Sequence, residues 1–152
     1  MKKPRRQVQR GLMLQRVRHL QERVAQKEVH EAQQAVEAEQ REETRCRQVL
    51  DHLEREWMDH AQGGVSAADL MRFQSLRQLH ADAVVVAQHR RQQAGIEAKD
   101  CRARFEGAVQ RRRQAERLVE VAQTRLSLSR RRVEQKRSDD VNCARAGKAS
   151  VL

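Results

Sequence analysis

Tyrosine is absent from this 152-residue chain, and one tryptophan and two phenylalanines bring the aromatics to only 2%. Aromatic side chains dominate the energetics of compact cores, so a globular domain is a poor fit. The one proline, Pro4, sits near the start, and no interior proline forces a helix to stop. The three cysteines, Cys46, Cys101 and Cys143, are odd in number and contain no CxxC, which excludes a zinc ribbon and a disulfide framework. Reduced thiols fit that usage. No run of eighteen apolar residues exists, so no membrane-spanning segment is expected. No apolar stretch follows the basic Met1-Lys2-Lys3-Pro4-Arg5-Arg6, so a Sec signal peptide is not expected either. Phosphate-cradling glycine loops, GxSxG and HExxH are missing, and the six histidines share no ligand spacing. These absences argue against an enzyme and predict no cofactor and no metal.

What remains is helix-forming sequence with one interruption. Charged residues make up 35% of the chain, and Ala and Val supply much of the apolar count. Such chains are coiled coils when a period is sustained and disordered when it is not. Here the period is sustained. Met13, Val17, Leu20 and Val24 step by three and four. So do Ala25, Val29, Ala32 and Val36, continuing through Glu39 and Glu43 to Cys46, Leu50, Leu53 and Trp57. That is a heptad seam, with a one-residue slip expected at Val24–Ala25. A second seam runs from Leu70, Phe73 and Leu76 through Ala87, Ala94, Cys101 and Ala108 to Val119 and Val133.

Between the two seams lies Gly63-Gly64-Val65-Ser66. Either glycine suits the left-handed residue that closes a helix, and Ser66 suits an N-cap with Asp69 in the first turn. The expected fold is all-α, two long helices in an antiparallel coiled-coil hairpin. The first helix covers about 5–61, the turn 62–65 and the second helix about 66–138, forming one hairpin domain over 1–138. Residues 139–152 lose the period and are expected to be a disordered tail. Pairing around Gly64 matches residues whose numbers add to about 130, so Trp57 meets Phe73 and Cys46 cannot reach Cys101. Gly95 and Gly107 look like tolerated weak points rather than contact sites.

Charge is uneven. Residues 1–18 hold seven Lys/Arg and no acid, and residues 102–137 hold twelve against four acids. Residues 19–64 hold six against eleven. An antiparallel hairpin would bring both basic segments to one tip. Such a tip attracts acidic protein surfaces, nucleic acid or anionic lipid. Arg111-Arg112-Arg113 and Arg130-Arg131-Arg132 also fit loose nucleic-acid or nuclear-localisation patterns. Stacking aromatics are absent from these segments, which weighs against single-strand binding.

The stretch Gly64-Val65-Ser66-Ala67-Ala68-Asp69-Leu70-Met71-Arg72-Phe73-Gln74-Ser75-Leu76 is similar to the turn and second-helix start of the FliJ/YscO family. Its members are small cytoplasmic coiled-coil proteins of flagellar and virulence type III secretion systems. The length, the Gln/Arg richness, the central glycine turn and the basic ends extend the resemblance over nearly the whole chain. The missing tyrosine is a mild departure. The low aromatic content and Arg bias leave flagellar and virulence types both open, and the virulence type is the expectation.

The resemblance implies a hairpin similar to the stalk of rotary ATPases. Its termini would enter the pore of a hexameric secretion ATPase and its turn would face the cytoplasmic ring of the export gate. Members also bind export chaperones. ATPase contact would then fall to Arg5, Arg6, Arg10, Arg16 and Arg18 with Arg125, Arg130, Arg131 and Arg132. Gate contact would fall to Phe73 and Leu76, although both also lie on the expected seam. The chain would be a cytoplasmic monomer when free, peripheral to the membrane-embedded apparatus, with no nucleic acid bound. Two other readings stay open: a basic coiled coil that binds nucleic acid or an anionic membrane surface, and a dimerising scaffold.

Overall fold

With good helix formers throughout and no interior proline, the backbone has little reason to leave the α conformation. The computed structural model describes the backbone of residues 2–149 and the side chains of residues 5–143. It contains two helices, α1 over Lys2–Ala61 and α2 over Ala67–Ala149, and no strand among the described residues. This is the expected all-α hairpin. Two backbone bonds close α1, from Gly63 N to His60 O and from Gly64 N to Ala61 O, each 3.2 Å. Gly64 takes φ +92°, a conformation that a side chain would strain. Ser66 then caps α2. Its hydroxyl accepts from Asp69 N at 3.2 Å and donates to Asp69 Oδ2 at 2.5 Å.

The chain divides into two compact units, each built from both helices. Unit 2 spans Ala25–Phe105 and holds the turn. Ala25, Ala87, Ala94, Ala98 and Cys101 are buried there, beside half-buried Leu50, Leu53 and Trp57. Trp57 stacks on Phe73 with ring centroids 4.4 Å apart. Ion pairs Arg77–Glu54, Arg91–Glu43 and Arg104–Glu28 cross between the helices. Unit 1 joins Met1–Val24 to Glu106–Leu152 and so holds both ends of the chain. Its buried side chains are Ala108, Ala115 and Val119. A Cβ on Gly11 would meet Val119 Cγ2 at 3.0 Å, so the helices approach closely at that point. Arg112 donates from Nε to Glu22 and from Nη1 to Glu116 Oε1. Numbers paired across the helices, including Trp57–Phe73 and Glu22–Arg112, add to between 130 and 134, close to the expected register. All three cysteines are free.

Three expectations need correction. Met13, Val17, Leu20 and Val24 do not face α2; all four are exposed. The inward positions of α1 are Gly11, Gln15, Arg18 and Glu22, followed by Ala25 and Val29, and the three-four steps continue with no slip. One heptad phase therefore governs α1, and the more apolar stripe near its start lies outside that phase. On α2, Leu70 and Leu76 are exposed rather than on the seam. Finally, α2 runs past position 138 through Ala149. Loss of the hydrophobic period removes a packing face, but residues 139–149 contain no proline to force a stop, and the backbone stays helical through Gly147. Residues 150–152 of the expected tail lie outside the described residues.

Candidate functional site

Two surfaces collect the residues singled out from the sequence. The first lies at the turn, within unit 2. Leu53, Trp57 and His60 of α1 and Arg72, Phe73 and Leu76 of α2 line a concavity of about 270 Å³. Phe73 is half-buried because Trp57 covers one face of its ring, at an interplanar angle of 8°. Leu76, expected on the seam, is 47% exposed and available to a partner. Met58 and Met71 are also exposed. Flexible, polarisable methionines suit adaptable apolar contacts. Gly63, Gly64 and Ser66 shape the turn, and Asp69 contributes to its charge. The hydrogen bond from the Ser66 hydroxyl, with its backbone contact and nearby Arg72, holds the Asp69 carboxyl below the usual carboxylate range. Trp57 was not singled out as a site residue. Its signal was its place on the seam directly across from Phe73.

The second surface belongs to unit 1. Residues 1–24 contribute eight Lys/Arg and one acid, and residues 106–152 contribute twelve and six, a net +13. Unit 2, with twelve Lys/Arg and fourteen acids, carries −2. Arg5, Arg6, Arg10, Arg16, Arg125, Arg130, Arg131 and Arg132 are all exposed. Arg18 is different. It lies half-buried on the inward face and donates from Nη1 to Gln21 Oε1 at 2.9 Å. Arg112 is also held, and its bonds to Glu116 and then Glu22 raise the guanidinium further above its ordinary value. The exposed guanidiniums offer planar, bidentate contacts to carboxylates or phosphates.

A third cluster was visible only as polar residues in an apolar phase. Glu43 is buried, with Arg47 Nη2 2.7 Å from Oε1 and Arg91 Nε 3.0 Å from Oε2. The Arg91 contact is an ion pair without hydrogen-bond alignment. It belongs to the packing of unit 2 rather than to a reactive site. Among the described residues, no group of three or more His, Cys, Asp or Glu could hold a metal. No described helix is long and apolar enough to cross a membrane. The concavity at the turn is open to solvent.

A family model described as "Flagellar FliJ protein" matches residues 12–150. The chain matches no curated protein and no solved structure.

Proposed function

Because the chain belongs to the FliJ family, a component of flagellar and type III export, we propose that it is a non-enzymatic stalk that couples a hexameric secretion ATPase to the export gate. One observation carries this reading: segments 1–24 and 106–152, both basic and distant in sequence, form a single unit of net charge +13. That unit would engage the ATPase ring through Arg5, Arg6, Arg10 and Arg16 with Arg125, Arg130, Arg131 and Arg132. Arg18, tied to Gln21, would orient its own helix more than it binds. The turn of unit 2 would meet the cytoplasmic ring of the gate through Leu76 and the exposed edge of Phe73, with Trp57 fixing the Phe73 ring. The protein would work on the cytoplasmic side, peripheral to the membrane apparatus, as a monomer before assembly, and would also receive export chaperones. A virulence-type system is the narrower form of this reading.

An asymmetric stalk in a ring of equivalent subunits touches them unequally. Coupling follows when its contacts differ in free energy between nucleotide states. The test is the hydrolysis rate of the cognate ATPase with and without the purified chain. Stimulation is expected, and so is its loss when Arg5, Arg6, Arg130, Arg131 and Arg132 are reversed to Glu while the circular dichroism stays helical. Unchanged ATPase binding by that variant would overturn the site. Nucleic-acid or lipid binding, the competing use of the same charge, would instead show affinity falling steeply with salt and indifferent to the ATPase.

A further inference from the structure

Unit 1 turns its better apolar stripe outward. Facing α2, the first turns of α1 offer Gly11, Gln15, Arg18 and Glu22, whereas Met13 is 69% exposed and Leu20 59%. Val17 and Val24 complete that outer stripe, and Leu14 carries it round toward α2. On α2, exposed Leu118, Val121 and Leu128 repeat the three-four spacing through Arg125. Between the helices Leu14, Leu118 and Val121 border a groove of about 370 Å³, while Met13, Val17, Leu20, Val24 and Leu128 lie outside it. Half-buried Gly11 and Ala122 lie at its base, Leu14, Leu118 and Val121 along its sides, and Arg10 and Arg125 beside them. A heptad stripe with no partner in the chain is the seam of a helix that is not yet there.

We propose that this groove seats a third helix, supplied by a partner protein, with an apolar stripe flanked by Asp and Glu. The charge around it selects that occupant. Arg6, Arg10, Arg16 and Arg23 surround the stripe on α1, and the one acid of residues 1–24, Glu22, is tied to Arg112. On α2, Arg111, Arg125 and Arg132 share the heptad position of Leu118. Glu106, Glu120 and Glu134 fall fourteen residues apart, roughly on the opposite face of the helix. A second copy presenting the same unit would bring +13 against +13 and is disfavoured. Nucleic acid would satisfy the arginines and leave the leucines wet. Only an acidic amphipathic helix answers both features. The seat follows from shape and charge and does not depend on the identity of the ATPase.

The probe is a synthetic 21-residue helix with Leu at the a and d positions and Glu at e and g, titrated into the full chain by calorimetry. One-to-one binding is expected, weakened at least tenfold by Leu118→Asp and by Leu14→Gln, one exposed change on each helix. Helical circular dichroism should be retained in both. Arg10→Glu with Arg125→Glu should shift the preference to a peptide flanked by Lys. Equal binding of a scrambled peptide of the same composition would reduce the site to charge alone and overturn it. So would indifference to both apolar variants, or a dimer in sedimentation that Leu118→Asp dissolves.

Discussion

Unit 2 and unit 1 are cut from the same two helices and solve opposite problems. Unit 2 stacks Trp57 on Phe73, hides Ala87, Ala94, Ala98 and Cys101, and ties its helices with three crossing ion pairs. Unit 1 buries Ala108, Ala115 and Val119 and leaves most of its large apolar side chains in solvent, at a net charge of +13. Burial is what makes a hairpin hold together, at about 25 cal/mol per Å² of apolar area removed from water. Surface left unburied, together with unbalanced charge, is what a partner uses. Both units leave large apolar side chains in solvent, unit 2 at Leu76, Met58 and Met71 among others, so the difference lies in burial and charge. Unit 2 holds the larger buried seam near neutrality, and unit 1 has a smaller one at high positive charge.

The strongest test of that difference is a pair of large-to-small changes. Trp57→Ala removes the stacking partner of Phe73 and should cost about 3 kcal/mol in a denaturant titration. Leu20→Ala, on the outer stripe of unit 1, should change stability by less than about 0.5 kcal/mol. Hydrogen exchange should also show the α1 amides of residues 5–24 opening sooner than those of 25–57. Equal losses from the two variants would erase the contrast.

The same contrast explains how far the residues could be read unaided. The turn was legible at Gly63, Gly64 and Ser66 because left-handed closure and N-capping have strict residue preferences. The α1 seam of unit 2 was legible even at Glu39 and Glu43, since the phase held on both sides of them, whereas on α2 Leu70 and Leu76 fit the period and yet are exposed. Unit 1 was misread for a physical reason. Periodicity finds the most apolar stripe, and there the most apolar stripe, Met13 to Val24, is not the one that packs. The packing face is fixed instead by the phase that runs on from Ala25, by the close approach of Gly11 to Val119 and by the Arg112–Glu22 pair. None of these is apparent before the helices are paired. The extent of α2 was missed because absence of a core-facing pattern looks like absence of helix. The exposure of the terminal arginines was legible except at Arg18, whose inward position again depended on that phase.

A buried carboxylate offers the next test. Glu43 occupies a core position at 4% exposure and is held by Arg47 and Arg91. Buried ion pairs commonly contribute less than well-packed apolar residues in their place. Glu43→Leu should therefore leave stability unchanged or raise it by about 1–2 kcal/mol, strengthening unit 2 further. Arg91→Ala should lower it by about 1–2 kcal/mol, because Glu43 stays buried with only one counter-charge. If Glu43→Leu proved much the worse of the two, the ion pair rather than apolar packing would be what holds unit 2.

Glycines inside α2 allow each unit to be adjusted by itself. A Cβ at Gly95 or at Gly107 meets nothing within 4 Å. Each change to Ala should stabilise by up to about 1 kcal/mol through helix propensity alone. Gly95 belongs to unit 2 and Gly107 to unit 1, so the gains should appear as slower hydrogen exchange in different stretches. Gly107→Ala should slow the exchange of unit 1 by the larger factor, since that unit has less packing to begin with. A loss of stability at either position would show a close approach that the geometry does not contain.

The smallest expected effect lies at the cap of α2, where unit 2 depends on one hydroxyl. Ser66→Ala deletes the acceptor for Asp69 N and the donor to Asp69 Oδ2, and should cost about 1 kcal/mol at neutral pH. The Asp69 carboxyl is held below the usual carboxylate range, first by the bond from that hydroxyl. A folded-state pKa below the unfolded one adds stability that is complete above the unfolded value, about pH 4, and is lost as pH falls through the folded value. The deficit of Ser66→Ala should therefore be constant from pH 7 to about pH 5 and shrink in acid. It should not vanish, because the neutral carboxyl leaves the hydroxyl free to accept from Asp69 N. Ser66 and Asp69 both belong to unit 2, so the exchange rates of unit 1, once corrected for intrinsic pH dependence, should not separate the variant from the parent at either pH. A deficit that grew in acid would reverse the sign of the linkage and remove Asp69 from the cap.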